Sequence, residues 1–196
     1  MPCESDKKRC LWCEGSDIYR AYHDEEWGIP CHDDTLLFEF LTLEGAQAGL
    51  TWLSILKRRE GYRRIFSDFD ARVVANLGDA DVERIMGDPG IIRNRAKIKS
   101  AINNAARFLE IQAEFGSFDK YIWGFVGGKP IINNFHAGDS IPSETDISRA
   151  ISKDLRKRGF SFVGPTICYA FMQAVGIVND HYIECWTRSD AGRGSV

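Results

Sequence analysis

Residues 37–52 read LFEFLTLEGAQAGLTW and place apolar side chains at the spacing of a helix. If the segment is helical, the residues that share one face are Leu37, Phe40, Leu41, Glu44 and Ala48. Asp34 or Thr35 can cap the first turn of this helix. The pattern therefore places one carboxylate, that of Glu44, on the face that should meet the core.

The position of Glu44 allows two interpretations. A carboxylate buried among apolar side chains destabilises the fold unless it is paired, hydrogen-bonded or protonated, so a buried glutamate usually has a partner or a function. Alternatively, Glu44 lies at the edge of the helix and reaches water or an arginine such as Arg58 or Arg59. The segment alone does not decide between them.

Length and composition predict a folded, water-soluble chain. The 196 residues are 44% apolar and 12% aromatic, which is ample for the core of one sizeable domain or two small ones. The first ten residues, MPCESDKKRC, lack the apolar region of a signal peptide, and no apolar run is long enough to cross a bilayer. We therefore expect a soluble, cytoplasmic protein, and the lack of a coiled-coil pattern makes a monomer the expected state.

Helical patterns dominate the chain, and strand patterns are scarce. The predicted helices lie near residues 34–48, 51–60, 70–76, 79–86, 93–115, 118–125, 144–158 and 165–177. Breakers occur between them, as in Asp88-Pro89-Gly90. The sequence therefore predicts an all-α fold.

A tight turn joins the last two predicted helices. Ser143 is expected to cap the first of them, which ends in a basic turn and Gly159. The segment FSFVG then leads to Pro165, a residue favoured in the first turn of a helix. Backbone N–H groups at such a helix start are unpaired and, with Arg and Lys nearby, can bind a phosphate. The alternative is an ordinary helical hairpin without a ligand.

Basic residues cluster in three segments although the net charge is −3. The clusters are Lys57, Arg58, Arg59, Arg63 and Arg64; Arg93, Arg95, Lys97, Lys99 and Arg107; and Arg149, Lys153, Arg156, Lys157 and Arg158. Each alone is most simply a solvated helix face. Together they indicate a local phosphate-binding surface.

Cysteine and histidine residues near the two ends of the chain indicate a metal site. Cys10 and His23 are separated by twelve residues, and His181 and Cys185 by three, so the last two would share a helix face. Zinc favours such a tetrahedron of two thiolates and two imidazoles, which leaves no position open for water. Cys13 competes with Cys10, because the two form a C-x-x-C motif. Spacing alone does not choose between them.

These motifs together resemble one protein family. The matching stretches are CLW, YRAYHDEEWGIP, LFEFLTLEGAQAGLTW, LKRREGYRRIF, GIIRNRAKI and KRGFSFVGPTICYAFMQAVGIVNDH. They are similar to the DNA-3-methyladenine glycosylase I family, the zinc-containing branch of the helix-hairpin-helix glycosylase superfamily. The resemblance runs from Cys10 almost to Cys185.

The resemblance implies an all-α glycosylase fold with a zinc site that ties the two ends together. It implies a single glycosylase unit over residues 10–187, with two helical lobes and the base pocket between them, flanked by flexible tails at 1–9 and 188–196. The implied reaction is hydrolysis of the N-glycosidic bond of 3-methyladenine in alkylated double-stranded DNA, which releases the free base and leaves an abasic site. One structural Zn²⁺, no membrane and no obligate protein partner are expected.

The resemblance also assigns residues. The zinc ligands would be Cys10, His23, His181 and Cys185, which selects Cys10 over Cys13. Glu44 would be the catalytic carboxylate that recognises the base, and the aromatic residues of the base-binding pocket would be Tyr22, Trp52, Trp12, Tyr19 and Trp27. By their position beside these motifs, the residues expected to contact DNA are Gly49, Leu50, Phe162, Val163 and Gly164.

One motif departs from the wider superfamily. Most members carry a catalytic aspartate in V-D-x-H, whereas this chain reads Val178-Asn179-Asp180-His181. We expect Asp180 to support the neighbouring histidine or to cap a helix, and we assign no general base. Two alternatives to a 3-methyladenine glycosylase stay open. One is a zinc-containing module that senses alkylated bases without cutting, and the other is a glycosylase for another lesion such as 3-methylguanine.

Overall fold

Helices form nearly all of the regular structure. The computed structural model describes residues 7–188, so Cys3 and the outer parts of both predicted tails, 1–6 and 189–196, lie outside the described residues. The helices are α1 (Asp17–Glu25), α2 (Asp34–Gln47), α3 (Trp52–Leu56), α4 (Arg59–Ile65), α5 (Ala71–Val74), α6 (Asp79–Met86), α7 (Arg95–Phe115), α8 (Phe118–Gly124), α9 (Asp146–Lys157) and α10 (Pro165–Ala174). Short 3-10 turns occur at Leu11–Cys13 and Ser67–Phe69. The predicted all-α fold is confirmed.

Several predicted helix boundaries were wrong. The predicted helix near 51–60 is two helices, α3 and α4, and α1 was not predicted. Asp33 caps α2 in place of Asp34 or Thr35, because its carboxylate accepts the backbone N–H of Leu36 at 2.9 Å. Thr145 caps α9 in place of Ser143. Competing cap residues stand within two positions of one another, and only backbone geometry selects among them.

Helix α2 lies at the centre of the core. All residues from Leu37 to Ala46 are buried, so the helix is enclosed on every side and the prediction of a single apolar face was wrong. It packs against α7, α8 and α10. The opposite side of α2 carries a second buried carboxylate, Glu39, which accepts hydrogen bonds from Arg59 at 2.6 Å and Arg63 at 2.9 Å.

A short parallel pair of strands connects the middle of the chain to its end. Strand β1 (Ile131–Ile132) pairs with β2 (Val178–Asn179), with Ile131 opposite Val178. The pair places Asp180 and His181 in the interior, where both are buried. Within residues 7–188, no helix has the length and apolar character needed to cross a bilayer.

The two ends of the described chain contact each other. The carbonyl of Lys8 accepts the N–H of Trp186 at 2.9 Å, and Arg9 donates to Asp24 at 2.8 Å. Arg188 donates to the carbonyl of His181 at 3.0 Å. These bonds bring the first and last predicted metal ligands into the same region.

Candidate active site and metal centre

The four predicted metal ligands converge in the interior. The ligand atoms of Cys10, His23, His181 and Cys185 all lie within 4.8 Å of one another, and all four residues are buried. The Cys185 sulfur lies 3.4 Å from His23 Nε2 and 3.6 Å from His181 Nδ1, and the Cys10 sulfur lies 3.7 Å from His181 Nδ1. Ligands of a tetrahedral zinc should be separated by about 3.6 Å, given the usual Zn–S and Zn–N lengths. The donor set therefore fits a four-coordinate metal.

Outer hydrogen bonds orient both imidazoles toward this cluster. His23 Nδ1 bonds to Asp24 at 2.8 Å, and His181 Nε2 bonds to the backbone carbonyl of Trp27 at 2.8 Å, which leaves the other nitrogen of each ring facing the sulfurs. The cluster resolves the competition between Cys10 and Cys13, because the Cys13 thiol donates instead to the carbonyl of Cys10 at 3.0 Å. Burial raises the pKa of Cys13 to about 12.

The predicted helix carrying His181 and Cys185 was wrong. Both residues follow β2 in irregular backbone with a turn between them. A spacing of i, i+4 is compatible with a helix and with a compact turn. The backbone that enters this segment is extended, because β2 pairs with β1, and a turn follows in place of a helix.

A cavity of about 320 Å³ lies directly beside the metal cluster. The six predicted base-binding residues all line it, namely Trp12, Tyr19, Tyr22, Trp27, Glu44 and Trp52. Its aromatic wall is continuous, since the Trp12 ring lies 5.0 Å from the Trp27 ring and the Tyr22 ring lies 5.4 Å from the Trp52 ring. The size and the flat aromatic faces suit one planar heterocycle.

Glu44 lies in this cavity without a charged partner. Arg59 is bound to Glu26 and Glu39, and Arg58 donates to the carbonyl of Ser54, so neither arginine reaches it. The residue is 4% exposed, and its Oε2 has no hydrogen-bond partner among the described residues. Burial raises the pKa of Glu44 to about 8. A buried polar atom left unpaired in a cavity is typical of a ligand site.

The same cavity holds an unpaired donor. The indole Nε1 of Trp52 is buried and has no partner among residues 7–188. Trp52 begins α3, whose first turn is capped by Thr51, and Leu53 in that turn donates its N–H to the Tyr19 hydroxyl at 3.0 Å. The start of α3 is thereby fixed to α1, which keeps the Trp52 ring against the cavity.

Comparisons with known proteins identify the family. The sequence profile of the methyladenine glycosylase family matches residues 12–189. This chain belongs to the methyladenine glycosylase family. It is 48% identical to DNA-3-methyladenine glycosylase 1 of Escherichia coli (strain K12) over 178 residues, which cover 91% of this chain and 95% of that protein.

Solved structures of methyladenine glycosylases share the fold. A crystal structure of 3-methyladenine DNA glycosylase I superimposes with a TM-score of 0.89 at 48% identity, covering 91% of this chain and 98% of that one. A structure of 3-methyladenine DNA glycosylase I from Staphylococcus aureus, solved to explain its recognition of 3-methyladenine, also superimposes with a TM-score of 0.89. The two chains are 36% identical, and the match covers 92% of this chain and 96% of that one.

Sequence reasoning missed one wall of the methyladenine glycosylase cavity. Helix α10 lines it with Thr166, Tyr169, Ala170 and Gln173. Their spacing, i, i+3, i+4 and i+7, is the signal that could have identified this helix face. The loop of Ile141, Pro142 and Ser143 also lines the cavity, and no local pattern predicts its position.

Asp180 does neither of the things predicted for it. Its carboxylate accepts hydrogen bonds from the Tyr169 hydroxyl at 2.7 Å, the Gln173 amide at 2.8 Å and the Asn133 amide at 2.7 Å. It therefore supports cavity residues on α10, whereas Trp27 and Asp24 orient the two histidines. Asp180 is fully buried and already accepts three hydrogen bonds, so it is not placed to activate water.

Two of the predicted DNA-contacting residues, Gly49 and Leu50, lie beside the cavity, and the hairpin of Phe162, Val163 and Gly164 lies against α2. Leu50 is 42% exposed, and it lines, with Gly49, a depression that shares Glu44 with the aromatic cavity. The hairpin approaches α2 closely, because a Cβ added at Gly45 would lie 3.3 Å from the Phe162 carbonyl. The Val163 side chain is buried and its carbonyl accepts the Ser152 hydroxyl at 2.6 Å, so only its backbone N–H is available to a ligand.

Most of the predicted basic clusters are neutralised. The ion pairs are Arg63 with Glu39 and Glu60, Arg64 with Asp88, Arg95 with Glu83, Lys99 with Asp79, Arg107 with Glu110, Arg149 with Glu144 and Asp146, and Arg158 with Glu114 and Asp154. In the described part of the chain, Lys153 and Arg156 on α9 form no such pair. Arg156 lies next to Gly164, since a Cβ there would be 3.4 Å from its guanidinium. A guanidinium that forms no ion pair within residues 7–188 therefore adjoins the hairpin.

Proposed function

We propose that this methyladenine glycosylase hydrolyses the N-glycosidic bond of 3-methyladenine in alkylated double-stranded DNA, releasing the free base and leaving an abasic site. The observation that carries the proposal is the buried carboxyl group of Glu44, which faces an aromatic cavity and whose Oε2 has no hydrogen-bond partner among residues 7–188. The relatives of this chain that are named for 3-methyladenine support the same substrate.

The chemistry of the damaged base suits this cavity. Alkylation at N3 makes adenine cationic and weakens its glycosidic bond, so the base leaves as a neutral molecule with little need for a general acid. Selection is the harder task. A cationic base flipped into an aromatic slot gains roughly 0.5–2 kcal/mol from a cation–π contact, which normal adenine does not gain.

Glu44 supplies the charge that completes this selection. Burial keeps its carboxyl group largely protonated at neutral pH while the cavity is empty, because its pKa is about 8. A cationic base nearby favours the carboxylate, so binding releases a proton and forms a charge-assisted contact. The exocyclic amino group of adenine can donate to this carboxylate, whereas the oxygen of guanine would be repelled. Tyr22 and Trp52 lie beside Glu44 and add a polar contact and a stacking face.

We further propose that Cys10, His23, His181 and Cys185 hold one structural Zn²⁺. Two thiolates and two imidazoles at tetrahedral spacing fill its coordination shell, so the metal would supply structure and no reactive water. The hydrogen bond from His181 to the Trp27 carbonyl connects this site to the cavity wall.

We also propose how the enzyme holds the duplex around a flipped base. Leu50, exposed beside the cavity, enters the gap that the base leaves, and Gly49 permits the turn with φ of 76°. The hairpin at Phe162, Val163 and Gly164 binds the phosphate backbone through its N–H groups, near Arg156. We place this machinery in a single glycosylase unit over residues 10–187.

The proposed function is tested by base release from methylated duplex DNA, resolved by chromatography into 3-methyladenine, 3-methylguanine and 7-methylguanine. We expect the metal-loaded protein to release 3-methyladenine selectively. Release of none of these bases by folded protein that still binds the methylated duplex would favour the lesion-sensing module. Preferential release of 3-methylguanine would favour the other glycosylase.

Glu44→Gln is expected to stabilise the unliganded protein at alkaline pH. Because burial raises the pKa of Glu44 from its ordinary 4.5 to about 8, the native state keeps a proton that the unfolded chain loses, and native stability falls as pH rises between these values. The variant escapes this loss, with a gain on the order of a few kcal/mol at pH 8 and little at pH 4.5. Urea unfolding at both pH values measures it, and an equal effect at both would contradict the buried carboxyl group.

Lys97→Met is expected to weaken action on DNA more than binding of the free base. The Lys97 ammonium donates to the carbonyls of Ala46 and Ala48, at 2.7 and 2.6 Å, which end α2 just before Leu50. Without it these carbonyls are unpaired and the loop loosens, so release from DNA should fall about tenfold while affinity for free 3-methyladenine changes little. Lys99→Met is the matched control, since the Lys99 ammonium pairs with surface Asp79 and not with the end of α2. Equal behaviour of the two variants would refute this role.

A further inference from the structure

Gln173 belongs to the cavity wall, and its side chain is held from behind. Its Nε2 donates to Oδ2 of Asp180 at 2.8 Å, and the same carboxylate accepts the Tyr169 hydroxyl at 2.7 Å and the Asn133 amide at 2.7 Å. A carboxylate that receives three donors has only acceptor atoms to offer. The NH₂ end of the Gln173 amide must therefore face Asp180.

The other end of this amide, Oε1, is an acceptor that no group in the described part of the chain uses. Within residues 7–188, no group donates to Oε1 of Gln173. The residue is only partly buried and lines the cavity together with Glu44 and Trp52. Because the nitrogen and oxygen of a planar amide diverge, fixing the nitrogen on Asp180 leaves the oxygen as the end available to a ligand.

We propose that Gln173 is a specificity-determining residue that offers a fixed acceptor to the polar edge of the flipped base, and that Asp180 is its positioning residue. This inference rests on the proposed function. A base edge with an amino donor is favoured by this oxygen, and an edge with a carbonyl oxygen is repelled. Asp180 prevents the amide from turning its NH₂ end into the cavity, where this group would donate a hydrogen bond to the carbonyl oxygen of guanine. The pair therefore favours methylated adenine over methylated guanine.

The test compares Gln173→Met with Gln112→Met. Met conserves the volume of Gln and removes its acceptor. Gln112 is the matched control, because its amide also donates to an aspartate, Asp34, at 2.6 Å, but it lies outside the base cavity. The first measurement is the ratio of 3-methyladenine to 3-methylguanine released from one methylated duplex, which does not depend on the fraction of folded enzyme. The second is the affinity for free 3-methyladenine, followed by tryptophan fluorescence.

For Gln173→Met we expect the release ratio to fall about tenfold and the affinity for free 3-methyladenine to fall by a similar factor. Gln112→Met should leave both unchanged. If native protein releases 3-methyladenine and Gln173→Met keeps the native ratio and affinity, this inference is overturned while the proposed function stands. If native protein releases no base, the proposed function itself fails.

The positioning role of Asp180 is tested in a double-mutant cycle. Asp180→Asn can present an oxygen or an NH₂ group to Gln173, which lets the amide turn over. We expect this variant to lower the release ratio in the native background and to have no further effect in the Gln173→Met background. Equal effects in both backgrounds would show that Asp180 acts by another route. Metal content is measured in parallel, because Asp180 adjoins His181.

Discussion

Glu44→Gln is expected to lower the release of 3-methyladenine from methylated duplex DNA by about a hundredfold. The substitution keeps the shape of the side chain and removes the negative charge that it acquires beside a cationic base. A hydrogen bond to a charged group contributes about 1.5–3 kcal/mol, so losing the one that holds the flipped, cationic base in the cavity should cost about two orders of magnitude in base release. The measurement is single-turnover base release with native and variant protein at equal concentration.

Glu39→Gln is the matched control for this experiment. Glu39 is the other buried carboxylate of α2, but it pairs with Arg59 and Arg63 outside the cavity. Its substitution leaves two arginines poorly paired, so it should lower the melting temperature and preserve base release. Glu44→Gln should lower base release without lowering the melting temperature. Native rates of release by Glu44→Gln would return Glu44 to a purely structural role.

Loss of the metal site is expected to have the second large effect. Cys185→Ser removes one of four converging ligands, and we expect it to lower the melting temperature by roughly 10 °C and to reduce base release to a small fraction of the native rate. The Trp12 ring lies 5.5 Å from the His23 ring, and the Trp27 ring lies 4.6 Å from the His181 ring, so the aromatic wall moves when the histidines lose their anchor.

Cys13→Ser separates this effect from the loss of any buried cysteine. Cys13 is as buried as the ligands, but its sulfur bonds to the Cys10 carbonyl outside the cluster. Mass spectrometry under native conditions should find one zinc per chain in native protein and in Cys13→Ser, and none in Cys185→Ser. Retention of zinc by Cys185→Ser, or its loss from Cys13→Ser, would contradict the proposed ligand set.

Local patterns in the sequence predicted the fold class and most of the helices. The helices, their breakers and the all-α class follow from periodicity, because each depends on residues a few positions apart. The metal-ligand candidates, Cys13 included, follow from residue chemistry, since few other arrangements use thiols and imidazoles near both ends of the chain. The resemblance to the methyladenine glycosylase family selected Cys10 and named the aromatic residues, and these do line one cavity.

Charge was predicted less well, because its effect depends on partners that are distant in sequence. Arg59 belonged to a predicted basic cluster, but it neutralises Glu26 and Glu39. Lys97 was predicted to contribute to a phosphate surface, and its ammonium instead holds the end of α2. Neither outcome could be read from neighbouring residues.

The sequence by itself determined the fold class, the chemical types at the site and the identity of the unusual carboxylate, Glu44. Only the tertiary structure decided that Oε2 of Glu44 has no hydrogen-bond partner among residues 7–188, and that Asp180 supports α10 and holds the NH₂ end of the Gln173 amide. The physical reason is the range of the interactions. Helix periodicity and ligand chemistry are local, whereas the burial, pairing and orientation of a polar group are set by segments that meet only when the chain has folded.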